Sequence, residues 1–536
     1  MTRQIRPEDA HSIAPDIIVD EPTTPRAPDV ALRSAPTPAA VAGATQDAAT
    51  SSPLDRAAVH TIIAGIMLAM FIAALEQTIV GPALPAIGKS LNNIDDLSWV
   101  VTSYLLTATA ATPLFGKLTD IHGRRTIMLL AIGIFILGSL ACALAPSMWV
   151  LIAARGVQGL GGGGLLPIAQ TIIADLLSPR ERPIAQSYTS VVFLSASVLG
   201  PVLGGLLTDH LHWSFIFWIN LPLGAVALVM TARALRQLPR HDRPHTLDIP
   251  GMTLMVAASV ALLLALDWGG THHPWVSWQV LVLFAGSAAL WALFALRLLT
   301  AREPFIPLAI LRGRVTSAIT CAAFFAIGTI IGVAIFAPLY CQLVLGVSAS
   351  LSGIPLIAFM VGISMGAVFM GRVIVRLNHY MRVPIVGLLT AVATFALLAA
   401  ETTELSLTAF TALLGVLGIA IGPMYPGSTI VMQNGVKAHQ LGTATGTLNF
   451  FRLLGGAIVV AVFGAIVLSN TGRALTLDGF KAAHADFGPA FRMVFIAGAL
   501  FLVVALGCVM AVEELPLLGP VRVPDPAADE PPASEL

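Results

Sequence analysis

Charge is scarce in this chain. Of its 536 residues only 11% are Asp, Glu, Lys or Arg, against 56% hydrophobic, and the mean hydropathy is +0.85. A soluble globular protein carries about 25% charged residues. A water-solvated fold of this length is therefore excluded, and the bilayer is the main solvent. Neither sign of charge is in excess, since Lys plus Arg and Asp plus Glu both number 29. That balance gives no hint of nucleic acid. Cysteine is limited to Cys142, Cys321, Cys341 and Cys508, all in or beside apolar runs. They supply neither a disulfide framework nor metal-ligand spacing and read as small buried hydrophobes. His210, His212, His272 and His273 fall in loops without an acid or cysteine to complete a metal set. No metal site is expected.

What the chain has in quantity is long apolar sequence. A membrane helix needs about 20 mostly apolar residues. Fourteen candidate spans meet that need: 60–82, 97–118, 126–145, 148–170, 184–207, 214–234, 249–267, 276–297, 316–340, 352–375, 383–400, 406–426, 443–468 and 491–512. The expected fold class is an all-α polytopic membrane protein. Seventeen Lys and Arg fall in the loops of one side and four in those of the other. The basic side is cytoplasmic, and an even span count puts both termini there. Residues 1–56 and 515–536 are rich in Pro, Ala and Asp without periodicity and read as disordered cytoplasmic tails. The first also lacks the pattern of a signal peptide.

An internal echo divides the rest. "FGKLTDIHGRR" follows the second span and "MGRVIVRLNHYMR" the tenth. Each opens with glycine and a basic residue at a helix end. Two homologous six-helix bundles, 57–235 and 301–514, separated by an inserted pair at 236–300, account for fourteen spans. Such repeats are usual in secondary transporters.

The loop "GKLTDIHGRR" (116–125) is the most specific signal. Gly116 lets two helices approach closely, Asp120 pairs with Arg124 or Arg125 across a tight turn, and Gly123 permits a positive φ. By charge alone it is also an ordinary basic loop. The stretch resembles the G-x-L-x-D-x-x-G-R-[RK] signature of the major facilitator superfamily. Four others resemble that family's motifs in the right order: "FIAALEQTIVGPALP" (71–85), "LIAARGVQGLGGG" (151–163), "SVLGPVLGG" (197–205) and "WSFIFWINLPLG" (213–224). With fourteen spans, the match is to the EmrB/QacA type of drug:proton antiporter.

The resemblance implies a major facilitator fold and proton-coupled efflux of lipophilic or cationic small molecules by alternating access. An endogenous lipid, siderophore or secondary metabolite is the alternative cargo. It implies no enzyme activity, no cofactor beyond the proton gradient, and a place in the cell membrane. Its partners would be the lipid bilayer, substrate, protons, and a periplasmic adaptor or outer-membrane channel. By residue it assigns a conformational latch to Gly116, Asp120, Gly123, Arg124 and Arg125, and the antiporter motif to Gly200, Pro201, Gly204 and Gly205. This chain departs from the family in having Glu76 for the usual Asp, Gly81-Pro82 after it, and Ala196 for the motif's first glycine.

Glu76, Arg155 and Arg452 are the ionisable residues well inside spans. With the first helix ending near Pro82–Leu84, Glu76 and Arg155 each lie roughly 10 Å deep at 1.5 Å per residue. Burial disfavours a charged carboxylate and a nearby cation favours it. Glu76 thus reads as a proton carrier switched by Arg155, the bland alternative being a static polar tie. Arg452 fits substrate charge balance, snorkelling or packing. Gln158, Asn220, Tyr340, Met424 and Tyr425 join Arg452 as candidates for the substrate pathway. The run "GLGGGG" (159–164) lacks the strand and the Lys-Ser/Thr of a phosphate loop. It reads as a helix-packing surface.

Overall fold

The computed structural model describes residues 56–93, 96–178, 181–237, 248–270, 273–374, 377, 379–469 and 487–514. The expected tails lie outside the described residues, except Arg56, which opens the first helix. So do Arg180, Arg240, Arg243, His272, Arg376, Arg473 and Lys481. No named strand occurs among the described residues. The long helices are α1 (Arg56–Ser90), α2 (Leu97–His122), α3 (Arg124–Ala143), α4 (Met148–Leu176) and α5 (Arg182–His210). They continue as α6 (Phe215–Ala234), α7 (Ile249–Trp268), α8 (Trp278–Thr300), α9 (Arg314–Leu343) and α10 (Ala349–Val373). The last are α11 (Arg382–Ala400), α12 (Leu407–Asn434), α13 (Leu441–Ser469) and α14 (Gly488–Met510).

Twelve of these are long and apolar enough to cross a membrane; α2 and α4 are not among them. On apolarity the described residues thus support twelve spans, short of the expected fourteen. The reason lies in composition: Thr102, Thr107, Thr109, Thr112 and Thr119 dilute α2, while Arg155, Gln158 and the glycine run dilute α4. Both helices pack against protein on several sides. α2 lies along α4 and crosses α13, and α4 also packs on α3.

Local chemistry sets the helix boundaries. Side chains of Asp248, Ser277 and Ser406 accept the N–H groups of Gly251, Val280 and Ala409 at the starts of α7, α8 and α12. Gly123, at φ +83°, turns α2 into α3 in a single residue, a conformation that suits glycine. α6 is interrupted at Ile219, and α12 at Gly422 and Pro423.

Helices α1, α5 and α6 pack together beside the α2–α3–α4 group, and α9 contacts α13 and α14. α10 pairs with α12, α11 with α14, and α7 with α8. Across the molecule α2 meets α13 and α5 meets α10. A Cβ on Gly116 would lie 2.5 Å from the Gly442 carbonyl oxygen and 3.0 Å from Gly446 Cα. The α2–α13 crossing is therefore backbone against backbone. In α4, Gly161 backs onto α3 at Ala131 and Gly164 onto the Phe115 ring of α2.

A candidate ion-pair centre beside a central cavity

Glu76 on α1 and Arg155 on α4 are 0% and 1% exposed. Arg155 Nη1 donates to Glu76 Oε1 and, at 2.6 Å, to Gln158 Oε1. Its Nε donates to the Val100 carbonyl at 2.9 Å. Asn220, just past the break in α6, donates to the other Glu76 oxygen, and Gln158 Nε2 donates to Ser139 Oγ at 2.7 Å. The Tyr104 ring covers the guanidinium, 4.4 Å from its carbon, with Phe217 at 5.7 Å. Every helix from α1 to α4, and α6, thus contributes to one buried polar cluster. Breaking such a buried pair by removing one partner costs about 3–5 kcal/mol, because the other charge stays behind.

A cavity of about 340 Å³ lies among α1, α2, α4, α5, α9, α10, α12 and α13. Its wall is mostly apolar, with Gln77, Thr109, Ser364, Asn449 and Arg452 among its polar members. Glu76 and Arg155 do not line it. Tyr104 does, so one ring both covers Arg155 and faces the cavity. A second cleft of about 470 Å³ shares Gln77, Thr109 and Leu453 with the first and continues past Thr102, Asp267 and Trp275. Arg452 Nη1 donates to Asn449 Oδ1 at 3.1 Å. Its Nη2 lies 2.8, 2.7 and 2.8 Å from the Tyr425 carbonyl, Ser428 Oγ and Thr429 Oγ1.

The end of the bundle that carries Lys117, Arg124 and Arg182 is closed. Asp120 Oδ1 accepts the Gly442 N–H at 2.9 Å, and Oδ2 accepts the Thr443 N–H and hydroxyl, each at 2.7 Å. This caps α13, whose first N–H groups have no partner in their own helix and attract negative charge. Arg124 bridges Asp120 and Asp175, both at 2.7 Å. Nearby, Gln433 Nε2 donates to the Gln170 carbonyl at 3.2 Å, Asn449 Nδ2 to Gln170 Oε1 at 2.7 Å, and Ser364 Oγ to the Ser190 carbonyl at 3.1 Å.

The structure gathers the singled-out residues into three places and leaves some aside. Gly116, Asp120, Gly123 and Arg124 meet at the closed end; Arg125 Nε there has no acceptor. Gly200 and Gly204 close on Thr78 and Ile79 of α1, whereas Gly205 has open space beside it and Pro201 is exposed. Tyr425 and Arg452 line the cavity. Gln158 and Asn220, expected on the substrate pathway, are instead held in the Glu76 cluster by their hydrogen bonds. Tyr340 is corrected likewise: it is packed among Phe410, Phe491 and Phe495 and donates to the Thr402 carbonyl at 2.6 Å. Met424 is 1% exposed and off the cavity wall. Sequence reasoning missed Tyr104, Ser139, Gln170 and Asn449. The available signal was a polar or amphipathic side chain in mid-span.

A helical bundle closed at one end, cupping a cavity beside a buried ion pair, defines the architecture of a membrane transporter. Residues 66–460 match the model of the Major Facilitator Superfamily, and the chain belongs to that family. It is 32% identical to the "Multidrug transporter protein MdtP" of Bacillus subtilis over 85% of both chains. It is 31% identical to the "Efflux pump dotC" of Dothistroma septosporum, over 81% of this chain and 74% of that one. The crystal structure of the human organic anion transporter MFSD10 (TETRAN) shares the fold, with a TM-score of 0.58 at 18% identity, covering 83% of this chain and 99% of the other. The protein is a multi-pass membrane transporter of this family, with relatives in its drug-efflux branch.

Proposed function

We propose that the chain exports lipophilic small molecules from the cytoplasm in exchange for protons, by alternating access. One observation carries this reading: a fully buried carboxylate, Glu76, is held by Arg155 next to the cavity but off its wall. A proton on Glu76 releases Arg155, and the Tyr104 ring between them and the cavity relays the change to a bound molecule. Substrate and proton then compete through that contact without sharing a site. The relatives named as multidrug transporters and efflux pumps support the direction and cargo.

In this reading the helices span the cell membrane fourteen times, α2 and α4 being largely packed against their neighbours. The moving bodies are 57–235 and 301–514, with the pair in 236–300 beside them. Both termini are cytoplasmic, so the end closed by Asp120 and Arg124 is the inner one and the described conformation faces outward. The test is substrate-dependent proton movement in proteoliposomes with a pH dye inside. Adding a lipophilic dye should shift lumenal pH only when the protein is present. No shift with any dye that stabilises the purified protein would overturn the reading.

A further inference from the structure

We infer that the central cavity binds the anionic group of an amphipathic molecule, a carboxylate, sulfonate or phenolate on an apolar skeleton, through Arg452. This rests on the exporter reading and names its cargo more narrowly.

Arg452 is 2% exposed and is the cavity's one charged wall residue among those described. Its described hydrogen-bond partners are all neutral: one side-chain amide oxygen, two hydroxyls and one carbonyl. No carboxylate pairs with it among the described ion pairs, whereas Arg155 has Glu76. An isolated charge in an apolar interior is expensive, and buried charges are normally paired. Its hydrogen bonding is incomplete as well. Nη2 has three acceptors for its two hydrogens, while Nε has none. The Tyr425 ring stacks 4.5 Å from the guanidinium carbon and touches Phe193 across the cavity rim.

A packing brace between α12 and α13 would need only the hydroxyl and carbonyl bonds. A neutral amide would make those without burying a charge. What the guanidinium adds is a cation and an unused Nε–H at the edge of a space with an apolar wall, which is the complement of an amphipathic anion. A lipophilic cation finds the wrong sign here. The carboxylate of the adjoining cleft, Asp267, lies away from Arg452 beside Thr102, and Glu76 is already paired.

The test uses full-length protein in nanodiscs, with empty nanodiscs as background, and three fluorescent probes. Anilinonaphthalene sulfonate and N-phenyl-naphthylamine share a skeleton and differ by the anionic group; ethidium is the cation. The wild type should bind the sulfonate about ten- to a hundredfold more tightly than the neutral analogue, the range for a buried charge-assisted contact. Arg452→Gln should abolish that ratio without weakening the neutral probe, and Arg452→Lys should keep part of it. Equal binding of the two matched probes to the wild type, tighter binding of ethidium than of the sulfonate, or an unchanged ratio in Arg452→Gln would each overturn the proposal. Should Arg452→Gln not fold, the wild-type ratio decides. Equilibrium binding needs no proton gradient, so this result and that of the proton-movement assay fail independently.

Discussion

Glu76 and Arg155 are legible in the sequence because a charge inside an apolar run has no cheap explanation. What no spacing argument supplies is their surroundings. The Val100 carbonyl, Ser139 and Asn220 come from three other helices and carry no charge to mark them. Arg452 stood out for the same reason as Glu76, yet only the structure shows that its partners are neutral. At this scale the ion pair makes a thermodynamic prediction. Arg155→Gln alone should destabilise the protein by about 3–5 kcal/mol, since it strands the carboxylate. In a Glu76→Gln background the same change should cost much less. Thermal unfolding of the four proteins gives the coupling; additive losses would show that the two side chains do not act as a pair.

At the scale of elements, the apolar runs located most helix boundaries to within a few residues, because period and length suffice for a membrane span. The C-terminal ends of α1, α4 and α12, however, run six to eight residues further. Prolines misled. The first helix was expected to end near Pro82–Leu84, but α1 continues through Pro82 and Pro85 to Ser90. Glu76 is therefore fourteen residues from its end, roughly 21 Å at 1.5 Å per residue, so the pair shares a depth but not the roughly 10 Å expected from the end of α1. Glycine was read more successfully: close approach at Gly116 is real, but its partner, Gly442, lies far along the chain and no local pattern names it. Gly116→Leu should push α2 from α13 and uncap α13 at Asp120. A cysteine at Ser364, with the four native cysteines replaced, should then react faster with an impermeant maleimide applied to the closed side. Unchanged reactivity would mean that this crossing does not hold the end shut.

For the whole molecule, apolarity alone yields twelve candidate spans although the described residues hold fourteen long helices. The two that fall short, α2 and α4, are enriched in threonine and glycine where they face protein, the cavity and the ion pair, although Trp149, Val157 and Leu160 of α4 stay exposed. The function and the sequence signal pull in opposite directions there. Motif order made the family legible; the conformation was not, since the same sequence must hold every state of the cycle. Alternating access predicts that the closed end must open. A cysteine pair at Ser190 and Ser364, where Ser364 Oγ now meets the Ser190 carbonyl, should stop transport when oxidised and release it on reduction. Undiminished transport by the fully cross-linked protein would rule out opening at this end.

The central claim is that Glu76 carries the coupled proton, and the most direct measurement is proton release on ligand binding. Purified protein in weakly buffered detergent solution, mixed with a dye that stabilises it, should release protons at a pH where Glu76 is protonated. Glu76→Gln should bind the same dye and release none. Equal proton release from Glu76→Gln would contradict the account and leave the Glu76–Arg155 pair a structural tie.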